Sequence, residues 1–175
     1  GFDNVSMLES NEDLEALHDV PEFKKLVKTL VDKKIADLDE ELSAFESYGF
    51  ELDTKDLDGK AVKTADLRGN VLIVDFWGTW CPPCRAEIPH FVKLYEEHRE
   101  EGLEIIGLNH ERSEDPEELI KGVCKENDVV YPCVIGTDEI REQVPGGIRG
   151  FPTTLFIDRK GQVRLQLVGL QSEFA

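Results

Sequence analysis

The chain has 175 residues, of which 40% are hydrophobic and 33% charged, a composition typical of a globular protein with room for one ordinary domain and some excess. Its formal net charge of −17 excludes a binder of nucleic acid or of anionic membranes, because such surfaces need clustered cations. No apolar run approaches the roughly 20 residues of a membrane span. Because residue 1 is Gly rather than Met, we expect a piece of a longer protein.

Residues 1–47 are predicted to form a helical arm or the tail of an upstream domain. They hold 13 acidic and 5 basic residues, and apolar residues recur at helical spacing from residue 11 onward, with Pro21 at the start of a new helix. The stretch from Leu14 to Leu26 is similar to the end of a tetratricopeptide repeat, but a single unit does not make an array. We therefore favour an amphipathic arm that packs on the following domain or on a second copy.

From Tyr48 onward strands alternate with helices, and residues 48–175 are predicted to form the second domain. The segments 50–53 and 61–63 flank the turn-forming pair Asp58-Gly59 and predict a β-hairpin. Residues 71–77 are almost continuously apolar, which predicts a central strand buried on both faces.

The most informative motif follows that strand, in the sequence Trp-Cys-Pro-Pro-Cys at residues 80–84. A helix is predicted over 82–99, which places Cys81 exposed at its N-terminus and Cys84 one turn inside. Free backbone N–H groups and the helix dipole at this position stabilise a thiolate. A stabilised thiolate beside a second thiol is the minimum that thiol–disulfide exchange requires.

The remaining elements complete a mixed sheet. Strands are predicted over residues 103–109, 131–135, 153–158 and 162–168. A helix is predicted from Asp115 to about Asn127, and its inward residues are expected to be Leu119, Ile120, Val123 and Cys124. Strands that alternate with helices and end in a hairpin predict an α/β fold with helices on both faces of the sheet.

Residues 48–170 resemble the thioredoxin superfamily and, within it, the TlpA/ResA-like extracytoplasmic thiol–disulfide oxidoreductases of the redoxin branch. The resemblance is carried by Phe-Trp-Gly-Thr-Trp-Cys-Pro-Pro-Cys-Arg-Ala-Glu-Ile-Pro at 76–89, by Gly-Phe-Pro-Thr-Thr-Leu-Phe-Ile-Asp at 150–158, and by the Gly59-Lys60 hairpin ahead of Leu67-Arg-Gly69. It implies a thioredoxin-like fold with an N-terminal β-hairpin extension. Family members usually end with a further helix, whereas this chain stops at Ala175. Either that helix has been removed or the N-terminal segment covers its place.

The resemblance also implies catalytic roles. Cys81 would be the nucleophile, and Cys84 would resolve the mixed disulfide. Asp75, a carboxylate inside an apolar strand, is expected to have a raised pKa and matches the buried Asp of thioredoxins. Glu87 matches a glutamate that ResA-like proteins hold near the thiols. Those proteins usually carry an amide-bearing residue at the Asp position, so the residues leave open which carboxylate acts, and whether either is merely structural.

Four residues are expected to contact the substrate: Trp80, Pro82, Phe151 and Pro152. The pair Phe151-Pro152 resembles the cis-proline loop of the family, which faces the two cysteines, with a trans proline at the start of an edge strand as the alternative. Of the two tryptophans, we expect Trp77 in the core and Trp80 at the rim of the site.

Three other residues keep more than one interpretation. His110 follows the strand beside the central one and lies either near the active edge or simply at the surface. Cys124 and Cys133 form either two free buried thiols, a structural disulfide or a second redox pair. Their spacing fits a zinc site poorly, and we expect no metal.

The function predicted from the resemblance is reduction of protein disulfides outside the cytoplasm. The partners would be protein thiols and disulfides, including apocytochrome or other secreted proteins, together with an upstream thiol protein that donates electrons. No cofactor is expected besides the Cys81–Cys84 disulfide. Two alternatives remain: a thiol peroxidase of the peroxiredoxin branch, which Thr79-Trp-Cys81 resembles faintly, and a non-enzymatic interaction module.

Overall fold

The structure, a computed structural model, describes residue 8 and residues 11–170. Its contacts divide the chain into two compact units, one that ends at Phe45 and one that begins at Glu46. The expectation about a final helix concerns the chain end beyond residue 170, which lies outside the described residues. In the part of the chain that is described, no helix combines the length and the apolar character that a membrane span needs.

The first unit is helical, as the sequence predicts. A 3-10 helix at Glu12–Leu17 begins after Asn11, whose side chain accepts a hydrogen bond from the Asp13 N–H at 2.9 Å. Helix α1 follows at Pro21–Ala44, with the proline at its first position. None of the residues of α1 is buried, so its apolar side chains stay at least partly exposed.

The second unit is built on a six-stranded mixed sheet of order β1-β8-β7-β4-β5-β6. Its strands are β1 at Tyr48–Gly49, β4 at Val71–Trp77, β5 at Leu103–Asn109, β6 at Cys133–Ile135, β7 at Thr153–Ile157 and β8 at Gln162–Val168. Strand β4 is central: it pairs parallel with β5 and antiparallel with β7. Six of its seven residues are buried, as expected of a strand covered on both faces.

Three helices complete this unit: α2 at Pro82–His98, α3 at Pro116–Glu126 and α4 at Asp138–Glu142. Two short 3-10 helices lie at Thr64–Leu67 and Arg99–Glu101. Helix α2 buries Ile88 and Phe91, and α3 buries Ile120 and Val123. These side chains join Ile73, Trp77 and Ile105 of the sheet in a hydrophobic cluster that also contains Cys81 and Cys84. The candidate site therefore stands on the core of the unit.

Several predicted boundaries are wrong. The hairpin strands are β2 at Asp53–Lys55 and β3 at Ala61–Lys63, so the first strand begins three residues later than predicted, and the pair forms a separate two-stranded sheet. Both the side chain and the backbone of Asp56 make hydrogen bonds within the turn that joins β2 to β3. One of these runs from the Lys60 N–H to Asp56 Oδ1, at 2.8 Å. Leu119, predicted to point inward, is 48% exposed, because α3 packs through its neighbours Ile120 and Val123.

Candidate active site

Cys81 and Cys84 form a disulfide at the N-terminus of α2. Their sulfurs are 2.07 Å apart and their Cα atoms 5.3 Å apart. Cys81 is the N-cap residue of the helix, and the Cys84 N–H donates a hydrogen bond to the Cys81 sulfur at 3.3 Å. Since Pro82 and Pro83 carry no N–H, Cys84 is the first residue of the helix that can donate in this way. A thiolate on Cys81 would therefore be stabilised by one hydrogen bond, from the Cys84 N–H, and by the helix dipole.

The expectation that Cys81 is exposed is wrong for the disulfide-bonded form. Only 4% of Cys81 is exposed, and Cys84 is fully buried. The disulfide turns the Cys81 sulfur toward Cys84, and the rings of Trp80 and Phe151 pack against the same cluster. Cys81 nevertheless keeps the only exposure of the pair, which is the asymmetry that the sequence predicts.

Asp75 and Glu87 are both buried, at 1% and 2% exposure. Burial, and then the charge of Glu87, raises the pKa of Asp75 well above its usual value, in the direction predicted from the sequence. Its Oδ1 atom has no hydrogen-bond partner among the described residues. Glu87 lies on α2 one turn after Cys84, and its charge acts on Asp75, so the two carboxyls are near one another.

Trp80 and Phe151 form the rim of the site. Both are half-buried, and their rings meet edge to face with centroids 5.2 Å apart. The Trp80 indole donates to the carbonyl oxygen of His110 at 3.0 Å. The Phe151–Pro152 peptide bond is cis; Pro152 is buried, and Pro82 is exposed on the first turn of α2.

His110 lies against this rim rather than out in solvent. Its ring stacks on buried Phe76 with centroids 5.8 Å apart and lies 6.0 Å from Phe151. Burial, and then the positive charge of Arg141, lowers the pKa of His110 to about 4. The imidazole is therefore neutral at physiological pH, and its ring lies in contact distance of both Phe76 and Phe151.

Four residues of the site were missed by the sequence analysis: Gly78, Thr79, Glu111 and Arg112. The Thr79 hydroxyl and N–H both donate to a Glu111 carboxylate oxygen, the N–H at 3.3 Å. The Arg112 guanidinium lies 3.6 Å from the centre of the Trp80 ring. A signal was available, because the parallel neighbours β4 and β5 end side by side. The loop that follows Asn109 at the end of β5 therefore lies beside the loop that follows Trp77 at the end of β4.

Gly78 makes room for the Trp80 indole. A Cβ atom at residue 78 would lie 2.6 Å from Nε1 of that ring, closer than real side chains approach. Glycine at this position therefore allows Trp80 to fold back over the backbone and reach the His110 carbonyl.

Comparison with known proteins assigns the chain to a family. The model of the AhpC/TSA family matches residues 46–166, a stretch that contains both cysteines of the disulfide and the cis-proline. This chain is a member of the AhpC/TSA family.

Relatives within this family carry names that describe disulfide chemistry. A thiol-disulfide oxidoreductase ResA from Bacillus cereus is 36% identical over 120 residues, which cover 67% of this chain and 66% of the relative. A second ResA, from Halalkalibacterium halodurans, is 37% identical over 111 residues, which cover 62% of this chain and 60% of the relative. The match thus spans slightly less than two thirds of each relative.

A solved structure extends the likeness to the fold. A thiol:disulfide interchange protein of the thioredoxin family from Chlorobium tepidum TLS superposes with a TM-score of 0.66 at 30% identity, covering 74% of this chain and 90% of that one. The predicted thioredoxin-like fold, with a mixed sheet between helices, is confirmed.

The AhpC/TSA match also contains the second cysteine pair. Cys124 and Cys133 are free thiols, Cys124 half-buried near the end of α3 and Cys133 buried at the start of β6. Their sulfurs are hydrogen-bonded at 3.4 Å. The structure therefore agrees with the interpretation as free thiols, although Cys124 is not fully buried.

Proposed function

We propose that this chain is a thiol–disulfide oxidoreductase that reduces protein disulfides through Cys81 and Cys84. The observation that carries the proposal is the disulfide itself, built between an N-cap cysteine and the first N–H donor of α2. The names of the ResA relatives and of the interchange protein support the same chemistry.

The reaction proceeds by two exchanges. In the reduced protein, the Cys81 thiolate attacks one sulfur of a substrate disulfide, which breaks that bond and leaves a mixed disulfide. Cys84 then loses its proton and attacks the Cys81 sulfur, so the substrate departs as a dithiol and the Cys81–Cys84 disulfide forms. A donor dithiol reverses these steps and restores the reduced state. The pair itself carries the two electrons, so this chemistry needs no further cofactor.

Asp75 and Glu87 are the candidates for proton transfer to and from Cys84. The raised pKa of Asp75 supports this role, because raising the pKa of a carboxyl brings it closer to that of a thiol and so eases proton exchange between them. The negative charge of Glu87 adds to this effect, because it disfavours the ionised form of Asp75.

The substrate would bind over Trp80 and Phe151, with Pro82 and Pro152 on either side of the disulfide. The half-buried aromatic rim supports this assignment, since Trp80 and Phe151 are partly exposed apolar rings packed against the cluster that contains Cys81 and Cys84. We further propose that the reaction takes place outside the cytoplasm, with apocytochrome or another secreted protein as substrate and a thiol protein as electron donor. The likeness to thiol-disulfide oxidoreductases named ResA supports this proposal.

Turnover of insulin disulfides, with dithiothreitol as the electron source, tests the proposal. We expect the wild-type protein to accelerate insulin reduction and the Cys81→Ser and Cys84→Ser variants to lose that acceleration. Cys124→Ser is the matched control and should keep the wild-type rate, because Cys124 lies outside this site. A wild-type protein without effect on insulin would overturn the proposal.

The same preparations separate the peroxidase alternative. A thiol peroxidase would consume hydrogen peroxide in the presence of dithiothreitol; Cys81→Ser would abolish this activity and Cys84→Ser would leave it unchanged. We expect instead that the wild-type protein consumes peroxide no faster than the Cys81→Ser variant.

A further inference from the structure

We propose that Cys124 and Cys133 form a second thiol–disulfide exchange site, whose substrate is a low-molecular-weight disulfide. The first observation is the distance between their sulfurs, 3.4 Å, which places the two thiols in direct contact. The pair lies across the loop between α3 and β6 and shares no residue with the Cys81–Cys84 disulfide.

The second observation is a cleft that opens beside this pair. It has a volume of about 360 Å³ and is lined by both cysteines, by Lys121 of α3 and by the Asp56–Asp58 turn of the hairpin. Cys124 is half-buried in its wall, whereas Cys133 is only 6% exposed behind it. This volume admits a small disulfide but not a folded protein, and the geometry presents Cys124 to it first.

The third observation is that a glycine, Gly107, lies beside Cys133 in the sheet. Gly107 pairs with Cys133 on one side and with Asp75 on the other, so these three residues form one row across β6, β5 and β4. A Cβ on Gly107 would lie 3.1 Å from the Cys133 sulfur and 3.1 Å from the Trp77 indole nitrogen. Glycine at residue 107 thus leaves room for the Cys133 sulfur at the position where it contacts Cys124.

The electrostatics divide the two thiols into an attacking and a resolving member. The hydrogen bond with Cys133 lowers the pKa of Cys124 despite partial burial. The same hydrogen bond, followed by burial, raises the pKa of Cys133 well above its usual value. Cys124 therefore ionises first and Cys133 keeps its proton until the second step, an order that matches their exposure.

The exchange balances as follows. The Cys124 thiolate attacks one sulfur of the small disulfide, so that bond breaks, one small thiolate leaves and a mixed disulfide forms on Cys124. Cys133 then passes its proton to that thiolate and attacks the Cys124 sulfur, which expels the second small thiolate. The protein gains the Cys124–Cys133 disulfide, and the small disulfide is reduced to two thiols.

The test uses the whole protein with its Cys81–Cys84 disulfide intact and oxidised glutathione as the probe. After equilibration, acid quenching and alkylation, we expect the loss of two free thiols and a peptide map that links Cys124 to Cys133. The Cys133→Ser variant should accumulate a glutathione mixed disulfide on Cys124. The matched Cys124→Ser variant should take up none, because Cys133 is buried.

Two results would overturn the proposal. One is that both thiols remain alkylatable after incubation with excess oxidised glutathione. The other is that glutathione stays on Cys124 of the wild-type protein without a Cys124–Cys133 link. Neither result bears on insulin reduction by Cys81 and Cys84, so failure here is separable from failure of the proposed function. The wild-type measurement stands even if a variant does not fold.

Discussion

At the scale of single residues, some members of the candidate site could be predicted from the sequence and others could not. The two cysteines were evident from their spacing, and Asp75 from its place in an apolar strand, because both signals are local in sequence. Gly78, Glu111 and Arg112 were not evident, because their positions depend on how two strand ends and one indole ring meet in space. The burial of Cys81 was missed because Trp80 and Phe151 come together only in the fold.

Asp75 should make the stability of the protein depend on pH. Its pKa in the folded state is raised, so the folded protein holds a proton that the unfolded chain releases above about pH 4. The contribution of Asp75 to the free energy of unfolding is therefore largest below that pH. It falls as the pH rises toward the folded-state pKa of Asp75, with a slope of at most about 1.4 kcal/mol per pH unit for one proton.

We expect Asp75→Asn to remove this fall, so that its free energy of unfolding exceeds that of the wild type at neutral and higher pH. Urea denaturation at a series of pH values measures the difference. Glu87→Gln is the companion variant, because it removes the charge that repels Asp75 and should reduce the fall partly. Parallel pH profiles for wild type and Asp75→Asn would contradict the assignment.

Gly78→Ala should displace the Trp80 indole. The added Cβ would lie 2.6 Å from Nε1, so the ring must leave the His110 carbonyl, at a cost of roughly 1 kcal/mol for the lost hydrogen bond. We expect tryptophan emission to shift to the red and the KM for insulin to rise. Gly122→Ala is the matched control, because nothing lies within 4 Å of the Cβ added there. An unchanged emission spectrum in Gly78→Ala would count against this packing.

At the scale of elements, the central strands were predicted better than the edges. The bounds of β4, β5 and β8 match those predicted, since long apolar or alternating runs flanked by turn residues define them. The short elements β1 and α4 were missed, because two to five residues carry too little periodicity to be recognised. The shift of β2 comes from the turn at Asp56, which uses side-chain bonds that spacing does not reveal.

Helix α3 offers a test of which face it buries. Ile120 is fully buried and Leu119 is 48% exposed, although both are apolar and adjacent. We expect Ile120→Ala to lower the free energy of unfolding by about 2–5 kcal/mol. Leu119→Ala should change it by no more than about 0.5 kcal/mol. Urea denaturation of both variants measures this, and equal losses would show that the helix face has been assigned wrongly.

At the scale of the whole molecule, the chain combines an acidic helical unit with a thioredoxin-like unit that contains both cysteine pairs. The motifs at 76–89 and 150–158 were sufficient to predict this fold, because they are the segments in which the chain resembles the thioredoxin superfamily. The state of Cys124 and Cys133 could not be predicted in the same way. Their contact depends on the length of the loop after α3 and on Gly107 across the sheet.

In the proposed reaction, Cys81 attacks the substrate disulfide and Cys84 resolves the mixed disulfide. Trapping tests it most directly: reduced Cys84→Ser protein is mixed with insulin, and the mixed disulfide that accumulates is mapped by mass spectrometry. We expect one insulin chain linked to Cys81, and no such link in a Cys81→Ser/Cys84→Ser control. A link through Cys124 instead, or no trapped complex at all, would contradict it.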